Sequence, residues 1–218
     1  MNIFFVKKKE VFNKKTLGEI KWQAGFTLIE LIVTIALFVF MTSFLLIKYS
    51  TFHSGVLTTN LAYDVAITIR QAQSYGLYVK QSQATANSFA SSYGVYFSTA
   101  SGNEDKFVLF EDRPTPSNPD NIYVPASDTA ISTYRMKNRA KIVSIKATVN
   151  PNNLNNLTTL NNLSVTYKRP QPRAIIASAG MGAGGTPATY KYAEITISGS
   201  DGDTRKIIVR QDGQISVQ

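Results

Sequence analysis

Residues Gly25 to Ile47 read GFTLIELIVTIALFVFMTSFLLI, and everything else in the chain is read as leader to this stretch or as its cargo. From Phe26 to Ile47, 22 consecutive residues contain no Lys, Arg, Asp, Gly or Pro, and Glu30 is the single ionisable side chain. At about 1.5 Å of rise per residue such a helix is roughly 33 Å long, enough to cross the hydrocarbon of a bilayer. One membrane helix is therefore expected over 26–47. Glu30 is the anomaly in it, because a carboxylate at membrane depth costs on the order of 2.5 to 3.5 kcal/mol and such residues usually have a partner. No basic residue lies within one helical turn of Glu30. The partner has to come from outside the segment, most simply from another copy of it.

The residues before this stretch are basic. Lys7, Lys8, Lys9, Lys14, Lys15 and Lys21 account for much of the chain's formal charge of +9, and without residues 1–25 the charge is +5. Positive charge ahead of a membrane helix holds that end in the cytoplasm, so the basicity is weak evidence for nucleic-acid binding. A secretory signal peptide would place a shorter apolar core before its cleavage site. Here the apolar run follows the leader and stays with the mature chain. Cysteine is absent, which rules out disulfides and thiolate metal sites, so stability rests on packing.

After Ile47, Lys48 and Tyr49 suit the headgroup region. Leu57, Leu61, Val65, Ile69, Ala72, Gly76 and Val79 then recur at spacings of three and four, an apolar stripe at helical period. One helix is expected from about residue 27 to 79, half in lipid and half under a globular head. Gln81–Ser92 reads as a polar connection, Tyr93–Ser98 and Lys106–Phe110 as antiparallel strands, and Glu111–Pro119, with three prolines, as a loop. Ile122–Val124 reads as a short edge strand. Lys141–Val149 alternates like a half-buried strand with Ile142, or else Val143 and Ile145, facing in, and Asn150–Asn162, with seven asparagines, reads as a loop. Leu163–Lys168 and Arg173–Ala177 are strands separated by prolines. Tyr192–Ser198 and Thr204–Arg210 flank Gly199–Asp203, a strong hairpin signal, and Gln211-Asp212-Gly213 turns into a last strand at Ile215–Val217. A long helix followed by strands is the α+β pattern, with one antiparallel sheet packed on the amphipathic half of the helix. The domains expected are a leader at 1–25, a transmembrane half-helix at 26–47, an amphipathic half-helix at 48–79 and a β-rich head at 80–218.

Groups that could carry chemistry are few. Gly180–Gly185 matches the spacing of a dinucleotide fingerprint but lacks the helix and second strand that the fingerprint needs, and reads as a loop. His53 is the only histidine, which with no cysteine leaves no His/Cys metal site and no His-based nucleophile pair. Glu104-Asp105, Glu111-Asp112 and Asp201 with Asp203 could form a glycosidase-like pair or a calcium site, but each sits at an expected turn where solvated acids are ordinary. No cofactor is expected. Arg205, Lys206 and Arg210, beside the final hairpin, are the candidate contacts for a nucleic-acid backbone, although alternation places Arg205 opposite Lys206.

Gly25-Phe26-Thr27-Leu28-Ile29-Glu30, between a Lys-rich leader and an apolar helix, resembles the processing site of type IV pilins and of the pseudopilins of type II secretion systems. The resemblance implies cleavage by a prepilin peptidase between Gly25 and Phe26, N-methylation of Phe26, and assembly into a filament through Phe26, Thr27, Leu28, Ile29 and Glu30. Glu30 would pair with the new terminal amine of a neighbour. The order of elements is similar to the pseudopilin H and transformation minor pilin group. Ile47 stands where many major pilins carry a proline, which favours a minor pilin or pseudopilin. The Gly-Arg-any-Arg motif of DNA-receptor members is missing, its nearest substitute being Arg205 to Arg210. The expected partners are the peptidase, other pilin or pseudopilin subunits, the inner-membrane assembly machinery and lipid, with nucleic acid as an alternative. The expected location is the plasma membrane, leader inside and head outside, and then the filament. The expected role is assembly and not catalysis, the rival readings being a DNA-binding tip subunit and a membrane-anchored exported enzyme.

Overall fold

The computed structural model describes residues 25–78, 91–113, 120–179 and 187–218, and of 48–52 the backbone alone. The chain divides into two compact units, residues 1–45 and 46–218. Helix α1, Leu28–Leu77, supplies the described part of the first and the opening of the second. No proline interrupts it, and the expected stretch to Val79 runs two residues beyond its end. Its first portion buries nothing: the apolar span Leu28–Ile47 has none of its residues inside the protein.

In the second unit α1 carries a buried stripe of Ala62, Val65, Ala66, Ile69 and Ala72. Leu57 and Leu61, expected on that stripe, are only half-buried, and Thr58 and Ala62 take their place. Successive steps of four residues drift by about 40° around a helix of 3.6 residues per turn, so a ridge of Leu57, Leu61, Val65 and Ile69 cannot keep one heading. The small residues Ala62, Ala66, Ala72 and Gly76 let the helix lie close to the strands.

Eleven strands follow among the described residues: β1 Ser92–Ser98, β2 Lys106–Asp112, β3 Thr129–Arg135, β4 Lys141–Thr148, β5 Thr158–Leu160, β6 Asn162–Tyr167, β7 Ala174–Ser178, β8 Ala188–Tyr190, β9 Tyr192–Ser198, β10 Thr204–Arg210 and β11 Ile215–Val217. They form two antiparallel sheets where one was expected. The six-stranded sheet runs β3-β2-β1-β6-β7-β8 and the five-stranded sheet β11-β10-β9-β4-β5. One core takes in the buried stripe of α1 and one face of each sheet: Val95, Phe97, Leu109, Leu163, Val165 and Ile176 from the larger, Ile145, Ile195, Ile197, Ile207 and Val209 from the smaller. Each such aliphatic side chain, fully removed from water, contributes about 1.5 to 3 kcal/mol.

Several local expectations change. Ser92 opens β1 and is buried. Strand β2 continues through Glu111 and Asp112, both read as loop; Tyr93 pairs with Glu111 and Ser92 with Asp112. Ile122–Val124 is not a strand but part of a loop laid against the outer face of the larger sheet. There the Tyr123 ring packs, tilted, with its centroid 5.1 Å from that of Tyr96 and 5.0 Å from that of Phe110. In β4 both Ile142 and Ile145 face the core, because a bulge at Val143 resets the alternation and leaves Val143 exposed. The asparagine-rich segment contains β5, with Leu160 buried. The glycine loop 180–186, and 79–90 of the expected connection, lie outside the described residues.

Candidate functional site

The first residues of α1 are held by a local device. Thr27 precedes the helix, and its hydroxyl oxygen accepts the N–H of Glu30 at 3.3 Å while its carbonyl accepts the N–H of Leu31 at 3.1 Å. Thr27 is thus the N-cap and Glu30 the third helical residue, the Thr-x-x-Glu spacing of a capping box. A carboxylate in the first turn also suits the positive end of the helix dipole. This local role was legible in the sequence, as Thr27 and Glu30 three apart before an apolar run, and the sequence reading passed over it. Glu30 itself is exposed.

Around it lies uncovered apolar surface: Phe26 is 80% exposed, Leu28 75% and Ile29 67%. The span's hydroxyls are satisfied internally. Thr34 donates to the Leu31 carbonyl (2.9 Å), Thr42 to that of Phe38 (2.9 Å) and Ser43 to that of Val39 (2.7 Å). These hydroxyls therefore need no water, which suits them to hydrocarbon and leaves Glu30 as the span's one charged group. At Gly25 a Cβ would meet nothing within 4 Å, so the fold does not demand a glycine there.

The three basic residues near the last hairpin are engaged within the protein. Arg205 lies on the core side of β10 and its Nε donates to Thr59 Oγ1 of α1 at 3.0 Å. On the opposite side, Lys206 pairs with Glu194 at 3.3 Å and the Arg210 guanidinium stands over the Tyr192 ring at 5.6 Å. The structure thus divides them between two faces, each with a partner.

Of the three acid groups expected at turns, Glu104-Asp105 and Asp201 with Asp203 lie at turns and Glu111-Asp112 does not. Glu104 and Asp105 are at a turn, and Asp105 pairs with Arg135 at 3.1 Å. Glu111 and Asp112 are both buried and, as neighbours on one strand, point to opposite faces of the sheet, so they cannot act as an acid–base pair. Asp112 instead meets Asp120 and Asp128, with one oxygen from each lying within 4.8 Å of the others, close enough to hold a cation. Their separation across a proline-rich segment hid this from the sequence reading. The carboxylates also clasp the loop. Asp112 Oδ2 accepts the Ser92 hydroxyl and the Asn121 N–H, each at 3.0 Å. Asp128 accepts the N–H groups of Val124 (2.7 Å) and Arg113 (3.4 Å).

Burial pushes the Asp112 carboxyl up to about 7; the Ser92 bond opposes the shift and the Asp128 charge adds to it. Asp128 is raised as well, again chiefly by burial. The consequence for stability has a definite sign. Between the unfolded value of 3.8 and about 7 the folded state keeps a proton that the unfolded chain has lost. Stability should therefore fall as pH rises through that window, by at most on the order of 4 kcal/mol. Urea denaturation from pH 4 to 8 checks it, and Asp112→Asn should flatten the slope.

A family profile described as the prokaryotic N-terminal methylation motif matches residues 23–46. No curated protein and no solved structure matches the chain. The matched residues take in the Gly25-Phe26 step, the Thr27 cap, Glu30 and nearly all of the exposed apolar span, so this α+β chain carries the N-terminal signal of type IV pilin-like proteins.

Proposed function

We propose that the protein is a minor pilin or pseudopilin, made with a basic leader, cut between Gly25 and Phe26 by a prepilin peptidase, methylated at Phe26, and assembled through α1 into a type IV pilus or secretion pseudopilus. The observation that carries this reading is that the methylation motif coincides with the opening span of α1, Leu28–Ile47, whose bulky side chains are all uncovered, while the core takes in only the later part of that helix. Such a surface needs lipid before assembly and neighbouring helices after it. Phe26, Thr27, Leu28 and Ile29 then pack among those helices, and Glu30 sets the axial register by pairing with a neighbour's terminal amine. The assembly partners are other pilin or pseudopilin subunits and the inner-membrane machinery. The subunit waits as a single-pass membrane protein with its head outside.

The test is the mature N-terminus. Peptide mapping of the protein isolated from cells should find a first peptide that begins at N-methylated Phe26, and a chain still beginning at Met1 would refute the reading. The DNA-binding alternative loses support from the internal partners of Arg205, Lys206 and Arg210. The exported-enzyme alternative predicts a buried, perturbed carboxylate pair; Asp112 and Asp128 supply one, but Asp112 Oδ2 and both Asp128 oxygens already accept backbone N–H groups.

A further inference from the structure

The outer face of α1 in the second unit is unlike a face made for water. Between residues 49 and 77 the helix has only two formally charged side chains, Asp64 and Arg70. At about 100° per residue, Ile67 marks the middle of the exposed stripe, with Val56, Tyr63 and Tyr78 within about 40° of its heading. Ile67 is 60% exposed, Tyr63 54%, Val56 41% and Tyr78 73%. Tyr78 keeps to the helical path, since its N–H donates to the Ser74 carbonyl at 2.9 Å. Bulky apolar side chains scattered singly over a surface are ordinary. A run of them along one heading, with charge nearly absent, has the composition of an interface core.

The two charges flank this stripe. Asp64 is three residues before Ile67 and Arg70 three after, which puts them about 60° to either side of it. Both are exposed, and among the described residues neither stands within ion-pair distance of an opposite charge. On the Asp64 flank the surface drops into a recess of about 310 Å³ between α1 and strands β2 and β3. Its lining includes Leu61 and the stacked rings of Phe107 and Tyr134, whose centroids are 5.1 Å apart. Arg135 also borders the recess but is paired with Asp105 at 3.1 Å, so Asp64 is the carboxylate left for a cation from outside. A carboxylate beside an aromatic wall suits an arginine, whose stem packs on the rings while its guanidinium reaches the acid. Arg70, on the opposite flank, is such a side chain.

We propose that α1 packs on the α1 of a second copy, Arg70 of one chain entering the recess beside Asp64 of the next. The proposal rests on the reading of the protein as a filament subunit. Copies in a filament are related by a rotation and a rise about one axis, so their α1 helices run in the same sense. The contact is then head-to-tail, and each copy keeps a free flank for the one that follows. Arg70 stands six residues beyond Asp64, so the next copy is offset by about 9 Å along the helix. The apolar stripe between the two flanks is enclosed as copies are added.

The chain has no cysteine, so introduced ones report the contact. Full chains bearing Asp64→Cys and full chains bearing Arg70→Cys are produced together, and sheared filaments are treated with a short bis-maleimide. A covalent dimer should form at least about tenfold more than from either chain alone, because a head-to-tail contact brings position 64 to position 70 and neither to its own counterpart. Ile67→Cys alone should give no dimer. A dimer from it would mark an antiparallel two-fold pairing and overturn the proposal. Arg70→Asp should lower the subunit in filaments about fivefold, and Asp64→Arg added to it should restore the amount. Unchanged incorporation by Arg70→Asp, or loss without recovery, would overturn it as well. Chains that still begin at Met1 would sink the filament reading and this contact with it, whereas filaments of methylated chains that yield no mixed dimer would overturn the contact alone.

Discussion

Filaments assembled in cells that make only the Glu30→Gln chain are expected to contain at least about tenfold less of this subunit, while the amount in the membrane is unchanged. Glu30 gives its backbone N–H to the Thr27 cap, a bond that glutamine keeps, so the substitution removes the charge alone. That charge is a liability in lipid that a neighbour's terminal amine can neutralise, and removing one partner of a pair in a low-dielectric setting costs on the order of 3 to 5 kcal/mol. Even half of that is more than a factor of ten in the assembled fraction. Quantifying the subunit in sheared filaments against the membrane fraction measures it. Thr27→Val is the complementary control, since it removes the cap and keeps the charge. If Glu30→Gln enters filaments normally, the carboxylate has no register role.

Gly76→Ala should destabilise the protein by about 1 to 3 kcal/mol, where a glycine inside a helix would ordinarily gain up to about 1 kcal/mol on becoming alanine. The reversal comes from the seat of the helix on the larger sheet. A Cβ on Gly76 would stand 2.5 Å from the Tyr167 carbonyl oxygen, 2.7 Å from its Cβ and 2.8 Å from its carbonyl carbon. Strand β6 is held between β1 and β7, so its backbone cannot retreat without disturbing both ladders. The helix has to lift instead, and the packing of Ile69 and Ala72 lifts with it. Urea denaturation midpoints decide the sign, and a more stable variant would show that this end of α1 is not seated on β6.

The elements that could be read from the sequence are those whose signal is local. Strand β9 alternates and pairs with β10 across the turn signal Gly199–Asp203, and Val65, Ile69 and Ala72 recur at helical period. Strand β3, TAISTYR, escaped because it is a half-buried edge strand in which only Ile131 and Tyr134 are large and apolar. The division into two sheets had no local signature at all: β3 and β4 are neighbours in sequence, yet they pair with different strands. The same split applies to function. The Gly25–Glu30 motif is contiguous and was plain, whereas the aspartate cluster and the recess beside Asp64 are assembled from segments that only the tertiary fold brings together.

The way the two sheets share the chain also bears on how quickly the head can form. The polypeptide passes from the larger sheet to the smaller after β3, returns after β5 and leaves again after β8. Strand β1 must wait for β6, and β4 for β9, before either sheet has its central ladder. Pairings of such long range close slowly, on the millisecond-to-second scale typical of β-rich topologies. During that interval the unfinished head exposes unpaired strand edges, so the slow step is also the one in which strands of different chains could pair wrongly.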